Sequence, residues 1–213
     1  MEPMANIALR AARKAGNLIA RASDDLTRLR FEAKGKADFV TEVDLASEQE
    51  LITNLQKTYP DHAFICEESG RAGPEDAEFV WIIDPLDGTS NFIHGYPYFS
   101  VSIALQYKKE TVVAVIYNPN TDELYSSIKG AGAQLNHQRI RVSKTRIMTG
   151  SMVGVSFSNR EHSDPDRHLR CIKGMQWLAS LVENVVGDIN DVIDRPLSGS
   201  LKSLAQPLRA GAN

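Results

Sequence analysis

Cysteine is scarce: only Cys66 and Cys171 occur in 213 residues, too few and too isolated for a disulfide framework or a thiolate metal site, and both are expected to be buried or idle thiols. No apolar run approaches the roughly 20 residues that a membrane span requires. Residues 1–6 have neither the basic start nor the following apolar core of a secretory signal. These absences predict a cytoplasmic chain with no membrane contact. A basic excess is missing too: 24 Lys and Arg stand against 27 Asp and Glu, a net charge of −3, so no direct binding of nucleic acid is expected. Lys129-Gly130-Ala131-Gly132-Ala133 lacks the Lys-Ser/Thr of a P-loop and the dinucleotide spacing, and reads as a strand-to-strand turn. Internal repeats and low-complexity segments are also absent.

What is present is enough apolar residue for a core, 42% of the chain, and one stretch where an apolar run stops at two acids. Residues 79–83 read as a buried strand that delivers Asp84 and Asp87 into a turn built from Pro85 and Gly88. Three apart, the two carboxylates can face one point with the Leu86 carbonyl between them. Two unit charges about 4 Å apart repel by roughly 4 kcal/mol at an effective dielectric near 20. A hard divalent cation would cancel that repulsion. Beyond Gly88, Thr89-Ser90-Asn91 reads as a helix start, whose free N–H groups suit an anion. Metal beside anion points to phosphate chemistry.

The remaining elements are arranged around that stretch. Residues 7–19 form an amphipathic helix with Ile7, Ala11, Ala15, Leu18, Ile19 and Ala22 on one face, and Arg10, Arg13, Lys14 and Arg21 largely opposite, a solvated basic face. Asp44 stands where an N-cap would, before a helix carrying Leu51, Ile52, Leu55 and Tyr59 and stopped by Pro60. Residues 63–66 read as a short strand ending in Glu67-Glu68, a second apolar run followed by acid. Residues 99–105, 111–117 and 123–128 form an antiparallel meander, with Asn136-His137-Gln138 a hairpin turn before a strand over 139–142. A polar stretch over 142–149 marks a boundary, giving an N-terminal α+β domain over 1–145 and a partial C-terminal α/β domain over 146–213. The latter opens with a strand over 152–157 and a helix started by Asp164-Pro165-Asp166, bearing Leu169, Ile172, Leu181, Val182 and Val185.

Asp84-Pro85-Leu86-Asp87-Gly88-Thr89-Ser90-Asn91-Phe92 fits every position of D-P-[LI]-D-G-T-x-N-F, the signature of the inositol monophosphatase superfamily of metal-dependent, lithium-sensitive sugar phosphatases. Residues 34–44 resemble that family's K-x-x-x-D-x-V-T-x-x-D segment, with Lys36 a weaker candidate nearby. Cys66-Glu67-Glu68-Ser69 resembles its G-E-E-S, departing at Cys66. The resemblance is closest to bacterial inositol-1-monophosphatases and extends over roughly residues 1–175. It implies a layered α/β fold, helices packed on a mainly antiparallel sheet, followed by a second sheet. It further implies Mg²⁺ held by Glu67, Asp84, the Leu86 carbonyl and Asp87, with Glu68 a supporting acid. In the family the residue matching Asp44 is bonded to the one matching Thr89, and with Glu67 they place the attacking water. Gly88, Thr89 and Asp87 would contact the phosphate.

The implied substrate is myo-inositol 1-phosphate or a related small sugar phosphate, with fructose 1,6-bisphosphate and nucleotide 3′-phosphates as alternatives, and a homodimer is the family's usual state. Bacterial members also act without catalysis as accessory factors in ribosomal RNA transcription, so a transcription-machinery protein is a possible partner. The family's later W-D-x-A-A-G segment, source of a further Asp ligand, has no counterpart: Trp177-Leu178-Ala179 lacks the acid, Ser198-Gly199-Ser200 resembles a G-S-x-x-L segment only faintly, and Asp188, Asp191 and Asp194 lack a strand and turn to aim them. The expectation is therefore a chain cut short, with weakened activity and an incompletely covered second domain.

Overall fold

Small side chains decide how the first helix packs. In the computed structural model α1 (Glu2–Ser23) buries Ala5, Ala8, Ala11, Ala12, Ala15, Gly16 and Ile19, and a Cβ at Gly16 would stand 2.4 Å from the Tyr117 ring. Helix backbone and sheet side chain meet there directly, which offsets the roughly 1 kcal/mol that glycine costs inside a helix. The buried face is rotated from the expected one: Ile7, Leu18 and Ala22 are half-buried at its edge, because the alanines allow the closest approach. Arg13 leaves the solvated face to pair with Asp122 at 2.8 Å and to lie over the Tyr117 ring.

The structure describes residues 1–26, 30–35, 38–144, 146, 152–155, 165–176 and 181–184. Lys36, Asp164, Val185, the 177–179 segment, the three late aspartates and residues 198–200 lie outside them. After α1 come the hairpin strands β1 (Phe31–Gly35) and β2 (Asp38–Thr41), then α2 (Glu42–Thr58). The main sheet comprises β3 (Ala63–Cys66), β4 (Gly70–Ala72), β5 (Phe79–Asp87), β6 (Ser100–Tyr107), β7 (Glu110–Asn118), β8 (Glu123–Ile128), β9 (Gly132–Leu135) and β10 (Gln138–Ile140), with the five-residue α3 (Thr89–Ile93) after β5. Its eight strands lie in the order β10-β9-β8-β7-β6-β5-β3-β4. Every neighbouring pair is antiparallel except β3 and β5, which are parallel. This is the layered, mainly antiparallel α/β arrangement expected.

Both long helices pack on the sheet, α1 against β6, β7 and β8 and α2 against β5 and α1. The core between them holds Leu51, Leu55, Phe64, Trp81, Ile83, Val101, Ile103, Leu105, Val113 and Val115. The expected hairpin at Asn136-His137 is a two-residue turn with positive φ at both residues, 47° and 67°, the mirror-type geometry whose twist matches the strands it joins. Residues 129–131 form the turn between β8 and β9.

Further on, β11 (Met152–Val155) and β12 (Leu181–Asn184) pair in parallel, with α4 (Pro165–Gln176) between them. Leu181 and Val182 are therefore strand residues and do not extend the helix. Parallel neighbours need a crossover of this kind. Cys66 is buried, whereas Cys171 on α4 is exposed.

Candidate active site

The parallel register between β3 and β5 sets the first acids side by side. Cys66 lies opposite Ile83, and the Glu67 N–H continues the ladder by donating to the Ile83 carbonyl at 3.1 Å. Glu67 and Asp84 are thus consecutive positions at the same sheet end. Past Ile83, β5 does not turn as expected; it bulges. Asp84 pairs with Ser102 and Asp87 with Ser100, so three steps on β5 face two on β6. Pro85, with no N–H to donate, fits such a break. The bulge is fastened by the Leu86 N–H donating to Asp84 Oδ1 at 3.2 Å and the Ser47 hydroxyl donating to the Pro85 carbonyl at 2.9 Å. The Leu86 side chain is buried in the core.

Gly88 follows with φ 93° as the residue before α3. A Cβ there would stand 3.0 Å from the Tyr98 carbonyl oxygen, so only glycine suits the position. The segment is held down by Asn91, whose Nδ2 donates to that same carbonyl at 2.8 Å, and by the buried Phe92, edge-on to Phe99. His94 is exposed, with Nδ1 2.7 Å from the Ser90 carbonyl.

Asp44 is not the N-cap of α2. The cap is Thr41, and Asp44 closes a capping box from the third helical position. The Thr41 N–H donates to Asp44 Oδ2 at 2.8 Å, and the Thr41 hydroxyl donates to the same oxygen. The other oxygen, Oδ1, lies 2.9 Å from the Thr89 hydroxyl, which is also 2.9 Å from the Leu86 carbonyl. A hydroxyl has one proton, and an ionised carboxylate is the stronger acceptor. Burial raises the Asp44 pKa above the ordinary carboxylate value, against the Thr41 and Thr89 hydrogen bonds that lower it.

Two residues at this site escaped the sequence reading. Ser47 and Glu48 are buried beside Asp44, Leu51 and Leu55 on the inner face of α2. Glu48 accepts the N–H groups of Glu68 and Ser69, each at 2.9 Å. The available signal was polar residues at i, i+3 and i+4 on a face that otherwise carries leucines, since buried polar groups need partners.

Among the described residues no three Asp, Glu, His or Cys side chains stand close enough together to hold a metal ion, so Glu67, Asp84 and Asp87 are not gathered at one point. In donor chemistry alone Glu67, Asp84, Asp87 and the Leu86 carbonyl suit Mg²⁺, since all of them offer oxygen. Mg²⁺ keeps several waters and takes one or two carboxylates plus substrate phosphate. Cys66, next in sequence to Glu67, adds no soft ligand. Burial, reinforced by the Glu48 charge, pushes its pKa up to about 11, so it stays a thiol.

A family model described as the inositol monophosphatase family matches residues 1–188. Nus factor SuhB of Escherichia coli K12 is 48% identical over 201 residues, covering 94% of this chain and 70% of its own length. Nus factor SuhB of Vibrio cholerae is 42% identical over 175 residues, covering 82% and 66%. The chain spans between 59% and 70% of the length of such relatives. The crystal structure of the extragenic suppressor protein SuhB from Bartonella henselae, 34% identical, superposes with a TM-score of 0.81 over 88% of this chain and 72% of that one.

Proposed function

This chain belongs to the inositol monophosphatase family, and on that premise we propose that it is a Mg²⁺-dependent phosphoric monoester hydrolase of the cytoplasm, acting on myo-inositol 1-phosphate or a related small sugar phosphate. The observation that carries the reading is the Thr89–Asp44 hydrogen bond, which ties a hydroxyl to a buried carboxylate beside the acidic strand ends. Glu67, Asp84, the Leu86 carbonyl and Asp87 would hold Mg²⁺, which when bound supplies positive charge toward the phosphate and acidifies the attacking water. Thr89 donates its O–H hydrogen bond to Asp44 and so turns an oxygen lone pair toward that water, with Glu67 as a second acceptor. Asp44, fixed by Thr41 on one oxygen, keeps the Thr89 rotor from wandering. Backbone N–H groups of Gly88 and Thr89 donate to phosphate oxygens. Water attacks directly and the alcohol leaves; the buried Cys66 thiol is no nucleophile.

The test is phosphate release from myo-inositol 1-phosphate with and without Mg²⁺, with Li⁺ added, and with Asp84→Asn as blank. Mg²⁺-dependent, Li⁺-sensitive turnover is expected, lost in the variant. A folded protein with no turnover above the variant overturns the reading. Fructose 1,6-bisphosphate and a nucleotide 3′-phosphate tested alongside identify the ester class.

A second reading, a non-catalytic partner of the bacterial transcription machinery, is favoured by the relatives named Nus factor. Binding to purified transcription complexes that survives Asp84→Asn unchanged would support it.

A further inference from the structure

We propose that Glu48 is a positioning residue for Mg²⁺ binding: its carboxylate clamps the turn after β3 and thereby aims Glu67. This rests on the metal-site reading above. Glu67 stands between a secure strand and an insecure one. Its own N–H is held by the Ile83 carbonyl of β5, but the chain then leaves through an exposed turn into β4, a three-residue edge strand with every residue exposed. Edge pairing this short is weak. The next two N–H groups, of Glu68 and Ser69, both converge on Glu48, one on each carboxylate oxygen. The backbone is therefore fixed immediately before and immediately after the Glu67 side chain.

The clamp is unlike an ordinary surface contact because Glu48 is only 3% exposed. A carboxylate that deep is costly to desolvate unless its oxygens are satisfied, and two convergent N–H donors satisfy them. A neutral amide offers one oxygen and presents an NH₂ to the other donor, so charge and two-oxygen geometry are both required. The same helix face reaches the other two parts of the site, through Asp44 to Thr89 and Ser47 to Pro85. Glu48 completes that set, and a residue that holds a ligand's backbone sets metal affinity as the ligand does.

The test is Mn²⁺ binding, read from the free Mn²⁺ electron paramagnetic resonance signal, for the wild-type chain, Glu48→Gln and Glu48→Asp, with thermal melts of each. The expected result is Mn²⁺ affinity weakened about 10- to 100-fold in both variants, with phosphate release recovering as Mg²⁺ is raised by the same factor. That recovery separates positioning from chemistry and from general damage to the fold. Wild-type Mn²⁺ affinity in a folded Glu48→Gln protein overturns the proposal. If both variants fail to fold, amide exchange in the wild type decides: slow exchange at Glu68 and Ser69 supports the clamp, and rapid exchange at both overturns it. Absence of Mn²⁺ binding by the wild type overturns this proposal together with the metal-site reading. Mn²⁺ binding without phosphate release overturns only the hydrolase reading, and Glu48 then stands or falls on the variant affinities.

Discussion

The two ends of β5 are built on opposite principles. At its start Phe79 belongs to a column of rings, Tyr59 on His62, His62 on Phe79 and Phe79 on Tyr107, each pair at 4.7 Å between centroids. The Trp81 indole N–H donates to His62 Nδ1 at 3.0 Å, so a buried donor and a buried acceptor satisfy each other. At its far end the same strand bulges, loses ladder register and carries two acids. The Phe79–Tyr107 pair is worth about 0.5–1.5 kcal/mol beyond the area it buries. Packing at one end of the strand offsets the backbone irregularity at the other.

If so, substitutions at the two ends should fail in different assays. The largest effect is expected for Asp84→Asn, which should cut phosphate release by about 10³-fold or more, yet leave the melting temperature near wild type, since the amide oxygen can still accept the Leu86 N–H. A marked drop in melting temperature would erase the contrast. Trp81→Ala should do the reverse, costing roughly 3–5 kcal/mol of stability in denaturant titrations, while turnover per folded molecule stays near wild type. Thr89→Ala should lower turnover by on the order of 10²-fold, with Thr89→Ser restoring most of it; equal activities for the two would show that the hydroxyl is idle.

The smallest effect concerns pH. Burial lowers the His62 pKa, partly opposed by the nearby Asp61 charge, and the rings around it carry no compensating charge. The fold therefore prefers the neutral imidazole, whose Nδ1 lone pair receives the Trp81 proton. That contribution is complete above the unfolded histidine value of about 6.5 and is lost as pH falls from there toward the lower folded value. Melting temperature measured from pH 7 to 5 should fall more steeply for wild type than for His62→Gln, which cannot charge. Identical slopes would remove His62 from the account.

Much of this was legible in the chain itself. Residues 63–66 are an apolar run that stops at an acid, and they form β3 to the residue. The meander and its Asn136-His137 turn followed from β-branched runs and turn chemistry. The bulge at 84–87 did not, because Pro, Asp and Gly in succession are also the grammar of a turn, and only pairing with β6 decides between them. The β1–β2 hairpin was missed because its strands are short and interrupted by Lys34-Gly35-Lys36. Asp44 read as a cap because the box that Thr41 shares with it looks the same from either residue. Ser47 and Glu48 stayed hidden because their partners are 38 and 20 residues away, beyond any local pattern.

The lone parallel pair in an otherwise antiparallel sheet has a topological meaning. Chain direction decides at which rim a strand's last residue emerges, and β3 and β5 emerge at the same rim because β4 and residues 73–78 carry the chain back before β5 begins. Had the pair run head to tail, the four residues of β3 would have put Glu67 and Asp84 on opposite rims, on the order of 13 Å apart. A detour of a dozen residues thus converts two separate strand ends into neighbours.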